Sequence, residues 1–174
     1  MSTGKAVFLY EVCQEDQNMK YISKNSLSDF EFHDAELSFE SFIDNCLTVK
    51  ALHLNIHKDA DQNPFETDMA IASAHLSFEE CVIRSYQDIQ AYRVDENGHQ
   101  YACDEPKPVY SGDEGQKRFM DKLKEGITIF DFGKIDESTF YLDVSSAPVF
   151  TIRFSFKNVS IEWNDFEGPA WYTL

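Results

Sequence analysis

Apolar and polar residues alternate with a period of two along most of the chain, which predicts β-strands rather than amphipathic helices. The clearest case starts at Glu36, after which Leu37, Phe39, Ser41 and Ile43 share one face of an extended chain. We expect this strand to rest that face on a core and to turn its polar face to solvent.

The next apolar run, Leu47–His57, changes phase after Ala51. A change of phase in a period-two element predicts a β-bulge or a strong bend. The residues DADQNP at 59–64 then predict a loop. The alternation resumes over Met69–Phe78, and we expect its even-numbered residues to share the buried face: Ala70, Ala72, Ala74, Leu76 and Phe78.

Further strands are predicted at both ends of the chain and in its middle. Ala6–Val12 predicts a first strand, and Tyr92–Val94 with His99–Ala102 predicts a hairpin, since Asn97-Gly98 between them favours a type I′ turn. The last third of the chain predicts four strands joined by short turns and therefore a meander of antiparallel neighbours. These strands are Ile127–Phe132, Thr139–Val144, Val149–Phe156 and Val159–Trp163.

One segment, near residues 114–125, has the period of a helix. Phe119, Met120 and Leu123 fall on one face, Ser111 with Glu114 predicts a capping box, and Gly126 predicts the end. The opposite face is basic, and its mixture with neighbouring acids is typical of a solvated surface: Lys117, Arg118, Lys122 and Lys124.

Together these patterns predict a mainly β (α+β) fold, either an antiparallel sandwich or a strongly curved sheet, with one helix near 114–125. We expect a single β-rich domain over residues 1–174, with a long loop at about 104–115 where Pro106, Pro108, Gly112 and Gly115 cluster.

Composition agrees with a folded domain and limits its partners. The chain has 174 residues, of which 43% are hydrophobic and 14% aromatic, enough to build a core. Its formal net charge of -16 comes from carboxylates spread through both halves. Because such a surface repels phosphates, we expect neither nucleic acid nor an anionic membrane as a partner.

The chain also predicts a cytoplasmic location. Its first apolar stretch is too short for a signal peptide, and no stretch approaches the roughly 20 apolar residues of a membrane-spanning helix. Cys13, Cys46, Cys81 and Cys103 form no CxxC pair. We therefore expect reduced, buried thiols rather than a zinc clip or a redox motif.

His33-Asp34 is the most prominent polar pair. Adjacent residues of an extended chain point to opposite faces, which argues against a catalytic dyad within the pair. Two interpretations remain open. Either one of the two side chains faces a pocket completed by distant residues, or the pair forms a turn in which Asp34 binds local backbone amides.

The sequence predicts no metal, cofactor or catalytic residue. His53 and His57, on a strand, would lie about 13 Å apart, too far to share one zinc ion. The segment from Asp59 begins like a calcium loop but has Pro64 where such a loop needs Gly and Ala70 where it needs Glu. No phosphate loop, nucleophile elbow or HExxH motif occurs.

The C-terminal stretch mixes aromatic and acidic residues. It contains Trp163, Asp165, Phe166, Glu167, Trp171 and Tyr172, and Gly168-Pro169 predicts a turn between the two tryptophans. One interpretation is an aromatic plug that closes the core. The other is a recognition surface, since aromatic anchors rimmed by carboxylates suit a basic protein partner.

Two segments carry a resemblance. Phe32-His33-Asp34-Ala35-Glu36-Leu37 resembles an F-H-D-A/G-x-I opening of small, poorly characterised bacterial domains, some of which are similar to immunity proteins of contact-dependent and polymorphic toxin systems. The closing segment, Trp163–Tyr172, is similar to the ending of such proteins. The resemblance implies a non-enzymatic cytoplasmic protein and carries over no catalytic residue.

Three functions follow from these observations. The preferred one is a protein-binding module that docks a basic partner, in the manner of an immunity protein that blocks a toxin nuclease. The first alternative is a hydrolase or small-molecule enzyme with a site near His33 and Asp34. The second is a structural or assembly subunit that uses exposed strand edges. The oligomeric state stays open.

Overall fold

A computed structural model describes residues 19–173. The strand predicted at Ala6–Val12 lies outside the described residues. Within these residues one α-helix, α1, spans Gly112–Glu125, and 3-10 turns lie at Leu27–Asp29 and Trp171–Thr173. The strands are β1 (Tyr21–Lys24), β2 (Phe30–Glu31), β3 (Glu36–Ile43), β4 (Cys46–Leu52), β5 (Leu54–Ile56), β6 (Met69–Ile71), β7 (Ala74–Glu79), β8 (Val82–Asp88), β9 (Tyr92–Val94), β10 (Gln100–Ala102), β11 (Val109–Tyr110), β12 (Ile127–Lys134), β13 (Thr139–Val144), β14 (Phe150–Ser155), β15 (Asn158–Trp163) and β16 (Phe166–Pro169).

Antiparallel sheets dominate the fold, so the predicted mainly β class with one helix is confirmed. Ten strands form the large sheet in the order β1-β15-β7-β4-β3-β12-β13-β14-β8-β11. Four strands form a smaller sheet in the order β16-β6-β5-β2, and β9 pairs with β10 alone. Helix α1 packs against both β3 and β8, although three strands separate them in the large sheet. The large sheet therefore curves strongly around the helix.

The chain crosses between the two sheets at two neighbouring points. β4 passes into β5 through His53, whose φ is 58°, and this crossing explains the change of phase after Ala51. Opposite it, β6 passes into β7 through residues 72–73. The prediction of one continuous strand over Met69–Phe78 was wrong here: Met69 and Ile71 are buried in the small sheet, and Ala72 is exposed.

A β-bulge in β3 changes which residues are buried. The pairing with β4 shifts between Phe39 and Ser41. After this shift Phe42 packs against the core, and Ile43 is 65% exposed. The expectation that Ile43 would be buried with Leu37 was therefore wrong, because one extra residue inverts the alternation.

The last strands form a meander only in part. β12, β13 and β14 are neighbours as predicted, but β15 pairs with β7 and β1. The reason is a shared corner: Ser155 pairs with Val82, and Asn158 pairs with Glu79. β14 thus pairs with β8, and β15 pairs with β7 on the other side of the same bend. The apolar alternation within one strand does not show which strand it will pair with.

The hairpin at Tyr92–Ala102 is present, with a different turn. Only Gly98 has a positive φ, 83°, whereas a type I′ turn needs two such residues. The Gly98 N–H donates to the Asp95 carbonyl, and Asp95 Oδ1 accepts the N–H of Asn97 and of His99. The result is a three-residue loop with glycine in the left-handed position.

The helix was located correctly, but its N-terminus differs from the prediction. Ser111 occupies the N-cap position without a side-chain hydrogen bond, and Glu114 pairs with Arg118 at 3.0 Å instead of forming a capping box. The helix starts at Gly112, and β11 precedes it, so the predicted loop at 104–115 is shorter. The basic residues of the outer face all pair with nearby acids: Lys117, Arg118, Lys122 and Lys124.

Candidate functional site

His33 and Asp34 form the corner of a tight turn between β2 and β3. The Ala35 N–H donates to the Phe32 carbonyl at 3.0 Å, and Asp34 has a φ of 65°. Phe32 and Ala35 are buried on either side of this corner. The Asp34 N–H donates to Ile129 of β12, so the sheet fixes the turn in place. The pair therefore lies in a turn, as one of the two interpretations predicted.

The turn brings the two side chains closer than an extended chain would. His33 Nε2 lies 3.7 Å from Asp34 Oδ1, too far for a hydrogen bond, and His33 Nδ1 donates to the Phe130 carbonyl at 2.6 Å. The hydrogen bond to Phe130 raises the pKa of His33, and the carboxylates of Asp34, Glu31 and Asp131 raise it further. The prediction that the pair points to opposite faces was wrong, because the chain is not extended here.

The predicted local bonds of the turn come from another carboxylate. Glu31 Oε1 accepts the His33 N–H at 2.9 Å, whereas no hydrogen bond to the Asp34 carboxylate is found within the part of the chain described. The Asp34 side chain is 62% exposed. It is therefore available to a partner from solvent.

Trp163 belongs to the core. It is fully buried, stacks on Tyr21 with ring centroids 5.4 Å apart, and meets the edge of Phe30 at 5.8 Å. Phe166 is half-buried and packs at 6.1 Å from Trp163. For these two aromatic residues the plug interpretation describes the structure, and Trp163 presents nothing to a partner.

Gly168-Pro169 does not form the predicted turn. Both residues lie in β16 and pair with Ala70 and Met69 of β6. Asp165 and Glu167 are exposed beside this strand. The chain turns only after Ala170, which is fully buried and donates its N–H to the Asp68 carbonyl at 2.8 Å.

Trp171 and Tyr172 emerge from this anchor onto the surface. Trp171 is 60% exposed and Tyr172 is 38% exposed. Tyr172 donates its hydroxyl to Asp68 Oδ2 at 3.1 Å, and His57 Nδ1 lies 3.1 Å from the same oxygen. The Lys58 N–H donates to Asp68 Oδ1 at 2.8 Å. Asp68 thus ties the C-terminal turn to the loop after β5.

This arrangement shifts the pKa values of both acidic groups. Burial acts to raise the pKa of Asp68, but the hydrogen bonds from Lys58, His57 and Tyr172 outweigh it and hold the pKa below its usual value. Burial and the bond to Asp68 raise the pKa of the Tyr172 hydroxyl. The hydroxyl therefore stays a donor and the carboxylate an acceptor at neutral pH.

Two adjoining clefts are lined by candidate site residues that lie far apart in the sequence. One, of about 410 Å³, is lined by Glu31, His33, His57 and Asp131 together with the rings of Phe130, Trp171 and Tyr172. The other, of about 290 Å³, is lined by Asp34, His53 and Trp171. We call the residues of these two clefts the Trp171 surface. Of the predicted site residues, His33, Asp34, Trp171 and Tyr172 meet there.

The chemistry of the Trp171 surface is aromatic and acidic. Phe130 is 58% exposed beside Trp171 and Tyr172. Three carboxylates surround these rings, those of Glu31, Asp34 and Asp131, and neither cleft is lined by a lysine or an arginine. Exposed rings next to carboxylates attract cationic side chains by cation–π and ionic contacts.

The residues that line the two clefts include no hydroxyl or thiol nucleophile other than the Tyr172 phenol. Neither cleft is lined by a serine, threonine or cysteine that His33 could activate. Within residues 19–173, no group of three His, Cys, Asp or Glu side chains is placed to hold a metal ion.

The sequence assigned none of Phe130, Asp131, Glu31 and His57 to a binding site, and His57 entered only as a rejected zinc ligand. Phe130 and Asp131 come from β12, which lies beside the turn only because β3 and β12 pair through Leu37 and Ile127. One signal was present: Phe130 follows the buried Ile129, so an alternating strand places its large ring on the solvent side.

No helix of the described residues is long and apolar enough to cross a membrane. Comparisons with protein-family models, with curated proteins and with solved structures found no match to this chain.

Proposed function

We propose that the protein is a non-enzymatic binding module that docks a basic protein through the Trp171 surface. The observation that carries the proposal is the cluster of exposed rings among carboxylates, with no lysine or arginine lining either cleft. Exposed aromatic residues at the centre of a patch are the usual energetic anchors of protein interfaces. Carboxylates around them steer a basic partner and exclude acidic ones.

The net charge of -16 supports the same partner. A strongly acidic molecule attracts basic proteins over a distance of about 10 Å at 0.1 M salt. The F-H-D-A resemblance adds an immunity-like role, in which the partner is a basic toxin nuclease and binding blocks its substrate groove. The three described cysteines are free thiols, in keeping with an encounter in the reducing cytoplasm. Only Cys81 is buried, whereas Cys46 is half-buried and Cys103 exposed, so the expectation of buried thiols was wrong for Cys103.

The proposal is tested by capture from a lysate of the native host on three immobilised proteins. The first is the wild type, and the second carries Trp171→Ala with Asp131→Asn. The third, a matched control, carries Tyr101→Ala with Glu96→Gln and loses an exposed ring and a carboxylate from the β9–β10 hairpin. The captured protein is then identified and titrated against each.

We expect the wild type and the control to retain one basic protein in stoichiometric amount, with binding that weakens as salt rises. Loss of a central aromatic anchor costs about 2 kcal/mol or more, so the surface variant should bind roughly thirtyfold more weakly. Equal retention by all three proteins, or capture of an acidic partner only, would show that the Trp171 surface is not the docking site.

A further inference from the structure

A second cleft lies on another part of the molecule and has different chemistry. It occupies about 500 Å³ between the first 3-10 turn, the end of the β12–β13 hairpin and the corner between β14 and β15. This volume is within the range of roughly 300–1,000 Å³ that is usual for small-molecule sites. Five phenylalanines line it: Phe30, Phe32, Phe132, Phe140 and Phe156.

The rings form a continuous wall. Phe32 meets Phe132 edge-on at 4.6 Å, Phe132 stacks on Phe140 at 6.1 Å, and Phe140 stacks on Phe156 at 4.5 Å. Phe30 and Phe32 are buried beneath, whereas the other three rings are half-buried and retain open apolar surface. Single exposed apolar residues are ordinary, whereas this contiguous aromatic wall inside a cleft offers an apolar ligand one continuous surface.

The mouth of this cleft carries cationic groups in an acidic protein. Lys134 and Lys157 line it, opposed by Glu137. Of five clefts with volumes from 290 to 570 Å³, this is the one whose lining cations outnumber its lining carboxylates. The chain has 31 acidic and 15 basic residues, so its surface is negative on average. The excess of lysine over carboxylate in this cleft is therefore unusual for the molecule.

The two lysines differ in availability. Lys157 pairs with Glu80 at 2.7 Å, and this exposed pair is weak. Lys134 has no ion pair within residues 19–173, and its Nζ lies 5.9 Å from the centre of the Phe140 ring. Ser28, also at the mouth, makes no side-chain hydrogen bond to the described residues. An ammonium group and a hydroxyl donor thus border the aromatic wall.

We propose that this cleft binds a small apolar monocarboxylate, with the apolar body against the phenylalanine wall and the carboxylate beside Lys134. Burial of the apolar body supplies most of the affinity. The ammonium group supplies selectivity for an anionic head group, since it lies beside the aromatic wall where the head group of a bound ligand would emerge. This site is separate from the Trp171 surface, and neither proposal depends on the other.

Three probes with the same ten-carbon chain test the proposal: decanoate and decylamine below their micelle-forming concentrations, and decanol below its solubility limit. Binding to the full-length protein is followed by the amide NMR signals of Ser28 and Gly133, which line the cleft, with Gly98 of the hairpin as a distant reference. We expect saturable shifts at the two cleft residues and none at Gly98. The affinity should decrease in the order decanoate, decanol, decylamine.

Two variants and one control separate the contributions of charge and cavity. Lys134→Gln should weaken decanoate binding by up to about fivefold, the upper end for an exposed ion pair, and leave decanol binding unchanged. Leu27→Trp, which fills the cleft from its rim, should weaken all three probes. Arg93→Gln removes an exposed positive charge from β9 and should leave every affinity unchanged.

Equal affinity for decanoate and decylamine would overturn the anionic specificity, and so would decanoate binding that Lys134→Gln leaves unchanged. Absence of saturable shifts at Ser28 and Gly133 would overturn the site itself. Because the Lys134 side chain lies at the exposed mouth, its variant should fold normally and decides the outcome even where Leu27→Trp fails to fold.

Discussion

Trp163 and Trp171 come from the same short stretch of sequence and have opposite environments. Trp163 is fully buried between Tyr21 and Phe30, and Trp171 is 60% exposed. We expect Trp163→Ala to lower the free energy of unfolding by about 3–5 kcal/mol, as for other buried aromatic residues. Trp171→Ala should change it by less than about 0.5 kcal/mol. Urea unfolding of both variants checks this, and equal costs would contradict the assignment of core and surface.

Asp68 makes stability depend on acid pH. Folding lowers the pKa of Asp68 from its usual 3.8, so the folded state gains stability above pH 3.8 and loses that gain as pH falls through the folded pKa. We expect Asp68→Asn to cost about 2 kcal/mol at neutral pH, because it weakens hydrogen bonds to a charged acceptor. The difference from wild type should shrink toward pH 3 in urea unfolding series.

Asp61→Asn is the matched control for this measurement, since Asp61 is an exposed carboxylate of the same loop. It should leave the pH dependence as in the wild type. A constant difference between Asp68→Asn and wild type across the acid range would show that the Asp68 carboxylate does not gain its bonds on folding.

Residues close together in the sequence determine local shape, whereas their neighbours in the fold come from distant parts of the chain. A turn at His33-Asp34 was one of two interpretations of the sequence, but the partners of His33 could not be predicted, because Phe130 lies on a strand 97 residues further along the chain. Gly168-Pro169 predicted a turn by composition, yet pairing with β6 holds both residues in a strand. Turn-forming residues indicate where the chain can bend. The pairing of distant strands determines whether it bends there and which side chains surround the bend.

At the scale of elements, helix α1 depends on a close approach to β11. A methyl group on Gly115 would lie 2.7 Å from the Tyr110 carbonyl oxygen. We expect Gly115→Ala to destabilise the protein by about 1–3 kcal/mol through this overlap, despite the better helix propensity of alanine. Thermal unfolding and the circular dichroism of the helix provide the measurement.

Gly168→Ala is the matched control, because a methyl group there has no neighbour within 4 Å. It should change the melting temperature little. If Gly115→Ala were equally harmless, the helix would have to be free to move away from β11.

Element pairing explains why strands were predicted better than their order. Each strand carries its own alternation, so β3, β13 and β14 could be recognised singly. The bulge between Phe39 and Ser41 and the shared corner at Glu79–Val82 require a second strand, and one sequence does not show which strand that is. The order β14-β8 and β15-β7 therefore could not be predicted.

For the whole molecule, the charge of -16 opposes folding by self-repulsion. Salt screens this repulsion, so we expect about 0.5 M NaCl to raise the melting temperature by several degrees. A variant carrying Asp61→Lys, Glu96→Lys and Glu137→Lys, all at exposed positions, should show a smaller rise. Differential scanning calorimetry tests both, and a melting temperature that falls with salt would mean that local ion pairs outweigh the overall repulsion.

β16 is one edge of the small sheet, and the strand contains Pro169 two residues after the exposed Glu167. An incoming strand would meet a charge at one position and a missing N–H at the next pairing position. Aggregation by strand addition is therefore blocked at this edge by geometry as well as by charge. The protection persists near the isoelectric point of about 4.5, where the net charge no longer keeps the molecules apart.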